Sequence, residues 1–145
     1  MLELKIMGYC EAFRQKWDDF VMNHAVNGTF LQTRRFLEYH GDRFEDASLV
    51  IYKGNDTTVA VVPACTTLDD GKKVFNAHCG STFGGIVMAD AFYDIEHVDA
   101  VMTGLESTLR AQGYQEVRLK LTSEIFARQN GHLLYYFLFQ RGFAS

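Results

Sequence analysis

The chain has 145 residues, a net charge of −4 at neutral pH, 48% hydrophobic residues and 22% charged residues. This balance predicts one folded domain, residues 1–145, and excludes a disordered chain. No run of Lys or Arg exceeds two residues, which argues against a nucleic-acid-binding surface. No apolar run approaches the ~20 residues of a membrane span, and the first residues lack the apolar core of a signal peptide.

The three cysteines, Cys10, Cys65 and Cys79, are odd in number and widely spaced. This arrangement predicts neither a disulfide framework nor a Cys-x-x-Cys metal site. We therefore expect buried thiols in a cytoplasmic protein. The five histidines show no His-x3-His spacing, so no metal site is predicted.

In the first half of the chain, apolar periodicity predicts a helix over residues 11–25 and a short helix over 34–39, which Thr33 would cap. Strand-like runs cover residues 2–7, 48–53, 57–65 and 73–77. Asp69, Asp70 and Gly71 form a turn before the last of these runs. Pro63 lies inside the third run, so an edge or a bulge is expected there.

The second half predicts a third helix over residues 94–112, with Asp94 as its N-cap and Gly113 as its stop. The alternation of residues 114–121 is typical of a half-buried strand. Residues 131–141 are predicted to form a helix whose segment 133–139 is apolar on all sides, so either the core or another subunit must cover it. Strands followed by helix, strand and helix indicate a mixed α+β fold.

The stretch 75–88 contains His78 and Cys79, followed by glycines and a short strand ending at Met88. Cys79 could be a nucleophile with His78 as its base. Adjacent strand residues point to opposite faces, however, so we expect structural roles, with Cys79 packed as a small apolar residue and His78 capping a bend. Gly84 and Gly85 permit either a β-bulge or the close approach of a ligand. The adjacent pair Arg34 and Arg35 is expected to face solvent, although it could clamp an anion.

The order of elements resembles the Gcn5-related acyltransferase (GNAT) fold, and more closely the N-terminal lobe of the Fem-type two-lobed acyl-CoA N-acyltransferases. Three stretches carry the resemblance: residues 17–37, residues 76–87, and residues 133–143 with their Tyr and Gly-Phe. The resemblance implies a GNAT-like sheet flanked by helices. The usual last strands of that fold have no counterpart before Ser145.

One departure from the family pattern concerns the loop that binds the pyrophosphate of acyl-CoA in GNAT enzymes. The corresponding residues 88–94 contain neither glycine nor a basic residue, and they include Asp90 and Asp94. Two carboxylates at the start of a helix would repel an anionic phosphate. This loop therefore favours a protein that has lost acyl-CoA binding.

Two functions remain open. The first is a degenerate acyltransferase-like module for binding or assembly, homodimeric through the C-terminal helix and an open sheet edge. The alternative is an N-acyltransferase that uses acetyl-CoA or another acyl-CoA and acts on a small amine, amino-sugar or peptide. The resemblance implies a ligand cleft lined by Thr82, Phe83, Gly84, Gly85, Ile86 and Val87. The weak catalytic candidates are His78, Cys79, Tyr135 and Tyr136, with one of the two tyrosines near the leaving thiol.

Overall fold

A computed structural model describes residues 3–29, 32–37, 45–54, 57–77, 85–119 and 132–142. It confirms the mixed α+β class, with two four-stranded sheets and flanking helices. The strands are β1 Leu4–Gly8, β2 Glu45–Asp46, β3 Leu49–Lys53, β4 Thr57–Val62, β5 Cys65–Asp69, β6 Lys72–Asn76, β7 Val87–Met88 and β8 Glu116–Arg118. The α-helices are α1 Arg14–Asn23, α2 Arg34–Leu37, α3 Ile95–Ala111 and α4 His132–Gln140, and 3-10 turns at Glu11–Phe13 and Asp90–Phe92 precede α1 and α3.

The chain alternates between the two sheets, so neither sheet is built from one continuous part of the sequence. One sheet has the order β1-β3-β4-β7 and the other β2-β5-β6-β8. Among the described strands, the chain changes sheet five times, between β1 and β2, β2 and β3, β4 and β5, β6 and β7, and β7 and β8. All pairings are antiparallel except that of β6 with β8, which is parallel.

The break between β4 and β5 corrects the prediction of one strand over residues 57–65. Proline lacks the N–H that a continuous ladder would need, and the strand stops before Pro63. At this point Ser48 Oγ accepts a hydrogen bond from the Ala64 N–H at 3.0 Å and donates one to the Ala64 carbonyl at 3.3 Å. The register is nevertheless the same on both sides, because Asp46 pairs with Cys65 and Leu49 pairs with Val62. The pairs β3–β4 and β2–β5 therefore form one kinked hairpin that contributes two strands to each sheet.

The helix α2 is fixed to α1 by side chains. The Asp18 carboxylate accepts hydrogen bonds from the backbone N–H groups of Arg34 at 2.5 Å and Arg35 at 3.3 Å. The predicted cap is also present, since Thr33 Oγ1 accepts from the Phe36 N–H at 3.2 Å. The helix ends at Leu37, and residues 38–39 of the predicted helix lie outside the described residues.

Arg34 is buried, so the prediction that it faces solvent is wrong. Its guanidinium donates to Ser48 Oγ at 2.9 Å and to the Asp46 carboxylate at 2.6 Å. It also lies 3.8 Å from the centre of the Tyr9 ring. These contacts satisfy a charge that would otherwise be costly to bury, whereas Arg35 stays exposed as expected.

The helix α3 matches its prediction closely, with Asp94 as the N-cap and Gly113 in the left-handed conformation, φ +84°, just past its end. Its apolar face enters the main core with Val98, Val101, Met102, Leu105 and Leu109. The helix α4 packs on α3 through Leu134, Phe137 and Leu138, while Tyr136 remains 56% exposed. No helix in the described ranges is both long and apolar enough to cross a membrane.

Candidate functional site

Several sequence-predicted site residues fall outside the description. These are His78, Cys79, Thr82, Phe83 and Gly84, together with the side chain of Tyr135. Their predicted roles stay predictions. The described candidates are Gly85, Ile86, Val87 and Tyr136.

Residues 75–88 do not form one continuous strand, because β6 ends at Asn76 and β7 begins at Val87. Cys65 pairs with Asn76 across β5 and β6, whereas Val61 pairs with Val87 across β4 and β7. Along the chain, three residues lie between Val61 and Cys65, whereas ten lie between their partners Asn76 and Val87. The pairings belong to different sheets and differ in register by seven residues, far more than the one residue that an ordinary bulge adds.

Three candidates sit where the chain enters β7. Gly85 has φ +116°, a conformation that side-chain-bearing residues rarely adopt. Ile86 and Val87 are fully buried on opposite sides of the sheet, one in each of the two hydrophobic clusters. The Asn27 amide holds this entry in place, since it donates to the Ile86 carbonyl at 2.8 Å and accepts from the Met88 N–H at 3.0 Å.

A cleft of about 710 Å³ opens between α3, β8 and α4. Ile86 is part of its wall, but Val87 faces away from it into the smaller cluster. The apolar lining comes mainly from Ile86, Met102, Leu105, Leu109, Val117, Leu119 and Leu138. The cleft thus offers a mostly apolar interior with polar groups near its edge, which is the usual character of a small-molecule site.

The arginines at the edge of the cleft are tied to carboxylates of α3. Arg141 donates to Asp99 at 2.7 Å and lies 3.4 Å from Glu106. Arg110 donates to the other oxygen of Glu106 at 2.9 Å. The positive charge at this edge is therefore largely compensated, which makes it a poor attractor for a phosphate.

The N-terminus of α3 is occupied by one of its own side chains. Asp94 Oδ1 accepts from the His97 N–H at 2.8 Å and also lies 2.8 Å from His97 Nδ1. On the other side of the ring, Lys53 Nζ lies 3.1 Å from His97 Nε2. The result is a connected series, Asp94–His97–Lys53, that ties the end of β3 to the start of α3.

The carboxyl of Asp94 remains ionised under ordinary conditions. Partial burial raises its pKa, but the hydrogen bonds from the His97 backbone and ring and the nearby Lys53 charge outweigh that effect and hold the pKa below the usual aspartate value. A fixed negative charge thus lies against the N–H groups of α3, and Asp90 adds a second carboxylate in the preceding turn. The repulsion predicted for this loop from its sequence has a structural basis.

Cys65 corrects the expectation of buried thiols, because it is buried and disulfide-bonded. Its partner lies outside the described residues. Cys10 is a free and exposed thiol. A disulfide is uncommon in a reducing cytoplasm, so this feature weighs against the location that the cysteine pattern had suggested.

The described residues contain no group of three His, Cys, Asp or Glu side chains arranged to hold a metal ion. Lys53 and His97 were not among the candidate residues predicted from the sequence. The i,i+3 spacing of Asp94 and His97 on a helix would have revealed that pair. Lys53 is 44 residues away from His97, and no local pattern connects them.

Three solved structures resemble this chain over almost its whole length. An aminoglycoside N-acetyltransferase in complex with CoA is 12% identical, with a TM-score of 0.60, and the match covers 100% of this chain and 90% of the other. The fold is that of the GNAT acetyltransferases. A transcriptional regulator from Bacillus halodurans (14%, TM-score 0.63, 99% and 94%) and a GNAT family acetyltransferase from Staphylococcus aureus (9%, TM-score 0.55, 90% and 94%) share it. No protein-family model and no curated protein matches the sequence.

Proposed function

We propose that this GNAT-fold domain is a binding and assembly module that does not use acyl-CoA in the manner of the GNAT enzymes. The observation that carries the proposal is the Asp94 carboxylate, which caps α3. Phosphates bind at helix N-termini because the first N–H groups of a helix have no intrahelical partner. Asp94 already accepts from one of those groups and brings a negative charge to the same place.

Moving the Asp94 carboxylate away from the N-terminus of α3, to make room for a phosphate, would cost free energy. The carboxylate is held by the His97 backbone N–H and ring, and Lys53 bonds the far side of that ring. An incoming pyrophosphate would have to break these contacts or remain beside a like charge. Both outcomes lower affinity for CoA.

The ligand that fits the cleft between α3, β8 and α4 is a largely apolar or amphipathic small molecule. Its walls are apolar, and its edge carries arginines that are paired with carboxylates. The residues Thr82, Phe83, Gly84, Gly85 and Ile86 are proposed as the ligand side of this cleft, whereas Val87 faces the smaller hydrophobic cluster and is not included. The position of Ile86 in the wall supports that assignment.

The assembly part of the proposal is a homodimer through α4 and the outer edge of β8, which pairs with no further strand among the described residues. Tyr136 on α4 is 56% exposed, and β8 is the last strand in the order of its sheet. An unpaired strand edge is a surface on which a second copy can add. We also propose that the chain is similar to the N-terminal lobe of Fem-type acyltransferases. In such two-lobed proteins the second lobe would cover α4, as the second copy of this chain would in the dimer.

A second candidate is an acyl-CoA-dependent N-acyltransferase acting on a small amine. The resemblance over 100% of the chain to an acetyltransferase that was solved with CoA favours it. In that case Tyr136 would be the described candidate for protonating the leaving thiolate. The fold alone does not decide between the two candidates, because one fold serves many functions.

Calorimetric titration with acetyl-CoA separates the two candidates. For the wild-type chain we expect no saturable binding up to millimolar ligand. Asp94→Asn, which removes the charge but keeps an acceptor for the cap, should bind more tightly than the wild type. Glu11→Gln removes an exposed carboxylate from another element, the 3-10 turn before α1, and serves as the matched control. Micromolar binding to the wild type that Asp94→Asn leaves unchanged would overturn the main proposal.

Light scattering after size-exclusion chromatography tests the dimer. We expect a mass of about twice 16.5 kDa at micromolar concentration. Tyr136→Lys places a charge on the exposed face of α4 and should shift the mass towards the monomer. A wild-type monomer at that concentration would refute the assembly part of the proposal without affecting the cleft.

A further inference from the structure

Lys53 is the outermost member of the Asp94–His97–Lys53 series. It is the last residue of β3 and is half-buried, with its Nζ 3.1 Å from Nε2 of His97. The opposite ring nitrogen of His97 lies 2.8 Å and 3.0 Å from the two oxygens of Asp94. An amine on β3, an imidazole on α3 and the carboxylate that caps α3 are therefore connected by two successive contacts at hydrogen-bonding distance.

The carboxylate determines the tautomer of the imidazole. An ionised carboxylate only accepts hydrogen bonds, so Nδ1 of His97 carries the proton that it donates to Asp94. Nε2 then presents its lone pair to the Lys53 amine. A carboxylate that orients an imidazole, whose other nitrogen contacts a nucleophile, is the arrangement of an activated nucleophile in general.

The ring of His97 is held rigidly in this position. Its side chain is 11% exposed, and its ring centre lies 4.8 Å from that of Phe92. Lys53 Nζ lies 5.2 Å from the same Phe92 ring. Lys53, from β3, and Asp94, from the start of α3, are the charged groups within hydrogen-bonding distance of the ring in the described part of the chain.

We propose that Lys53 is a site of covalent acylation by acyl thioesters, with His97 as the proton acceptor and Asp94 as the residue that positions it. The Lys53 ammonium, charged at rest beside Asp94, first gives a proton to water. The neutral amine then attacks the thioester carbonyl, a C–N bond forms, and the π electron pair of the carbonyl moves to its oxygen. His97 Nε2 takes the proton from the attacking nitrogen. The C–S bond then breaks, and the thiolate leaves with that proton, which gives an amide on Lys53 and a free thiol.

Removal of the proton is the step in which His97 matters. The nitrogen of the tetrahedral adduct is far more acidic than an alkylammonium ion, so an imidazole is basic enough to accept its proton. Asp94 stabilises the imidazolium that results. This reaction needs no bound CoA, so its test is independent of the proposed loss of the CoA site.

The test uses a small acyl thioester, S-acetyl-N-acetylcysteamine, and measures the acetylation rate of each lysine at pH 8 by peptide mass spectrometry. The exposed residues Lys16 and Lys72 are the internal references. We expect Lys53 to react at least about tenfold faster than either reference, a modest fraction of what general-base catalysis supplies in enzymes. An equal or slower rate at Lys53 would overturn the proposal.

Two variants distinguish activation of Lys53 from simple exposure. His97→Gln should bring the Lys53 rate to that of the reference lysines and leave Lys16 unchanged. His24→Gln is the matched control, because His24 is an exposed histidine that is also paired with an aspartate, Asp19, at 3.1 Å. A Lys53 rate that survives in folded His97→Gln would refute the role of the imidazole.

Discussion

At the scale of single residues, Asp94 determines most of what the start of α3 can do. Its carboxylate caps the helix, orients His97 and occupies the place where the GNAT pattern would seat a phosphate. Local sequence was enough to predict the cap and the repulsion. The contact with Lys53 was not predictable, because it depends on where β3 ends relative to α3 in the folded chain.

Asp94→Ala should lower the free energy of unfolding by about 1 kcal/mol at pH 7, the usual cost of losing an N-cap. Because the pKa of Asp94 is lowered by folding, the ionised cap stabilises the protein above the unfolded pKa of about 3.9 and loses this effect as the pH falls through the folded value. The gap between wild type and variant should therefore shrink below about pH 4. Urea unfolding at pH 7 and pH 3 measures it, with exposed Glu96→Ala as control; an equal gap at both pH values would contradict this account.

Arg34 and Arg35 are neighbouring arginines of α2, of which the first is buried and the second exposed. Arg34→Ala removes the partner of Ser48 and Asp46 and the stack on Tyr9, and should cost about 3 kcal/mol of unfolding free energy. Arg35→Ala, at the exposed neighbouring position, should cost no more than about 0.5 kcal/mol. Chemical denaturation of both variants measures the difference, and equal losses would show that the Arg34 contacts contribute nothing.

At the scale of elements, the helices were easier to predict than the sheets. The cap, the apolar stripe and the terminal glycine of α3 all lie within its own sequence, and the Asp70-Gly71 turn has positive φ at both residues, as a tight hairpin requires. The division into two sheets was not predictable. It depends on the Ser48 side chain bonding Ala64 across the strand pair and on a seven-residue change of register before β7.

Gly28 marks a close approach between the segment after α1 and the helix itself. A Cβ at this position would overlap the carbonyl oxygen of Val21, which is backbone and cannot move aside cheaply. Gly28→Ala should therefore cost at least about 2 kcal/mol of unfolding free energy. Gly8→Ala is the matched control, since a Cβ there meets no atom within 4 Å. Thermal and urea unfolding compare the two, and a Gly28→Ala protein as stable as Gly8→Ala would rule out this close packing.

At the scale of the whole molecule, the reactivity of the cysteines indicates whether the disulfide is present and whether the protein is folded. In the native protein iodoacetamide should label Cys10, which is free and exposed, without reductant. Cys65 should be labelled only after reduction and unfolding, because it is buried and disulfide-bonded. Peptide mapping measures both. Labelling of Cys65 in unreduced, unfolded protein would show that the disulfide is absent and would restore the expectation of a buried thiol.

The unbroken register across the kink at Pro63 has a consequence for how the chain folds. Once β3 and β4 pair around their short connection, β2 and β5 are already aligned, so the second sheet begins without a new search for partners. Strand pairing that extends outward from a local turn loses little loop-closure entropy. The strands β7 and β8 must instead be brought in from much farther along the chain. We expect the kinked hairpin to form early in the folding transition state, and the wall of the cleft that Ile86 provides to be completed late.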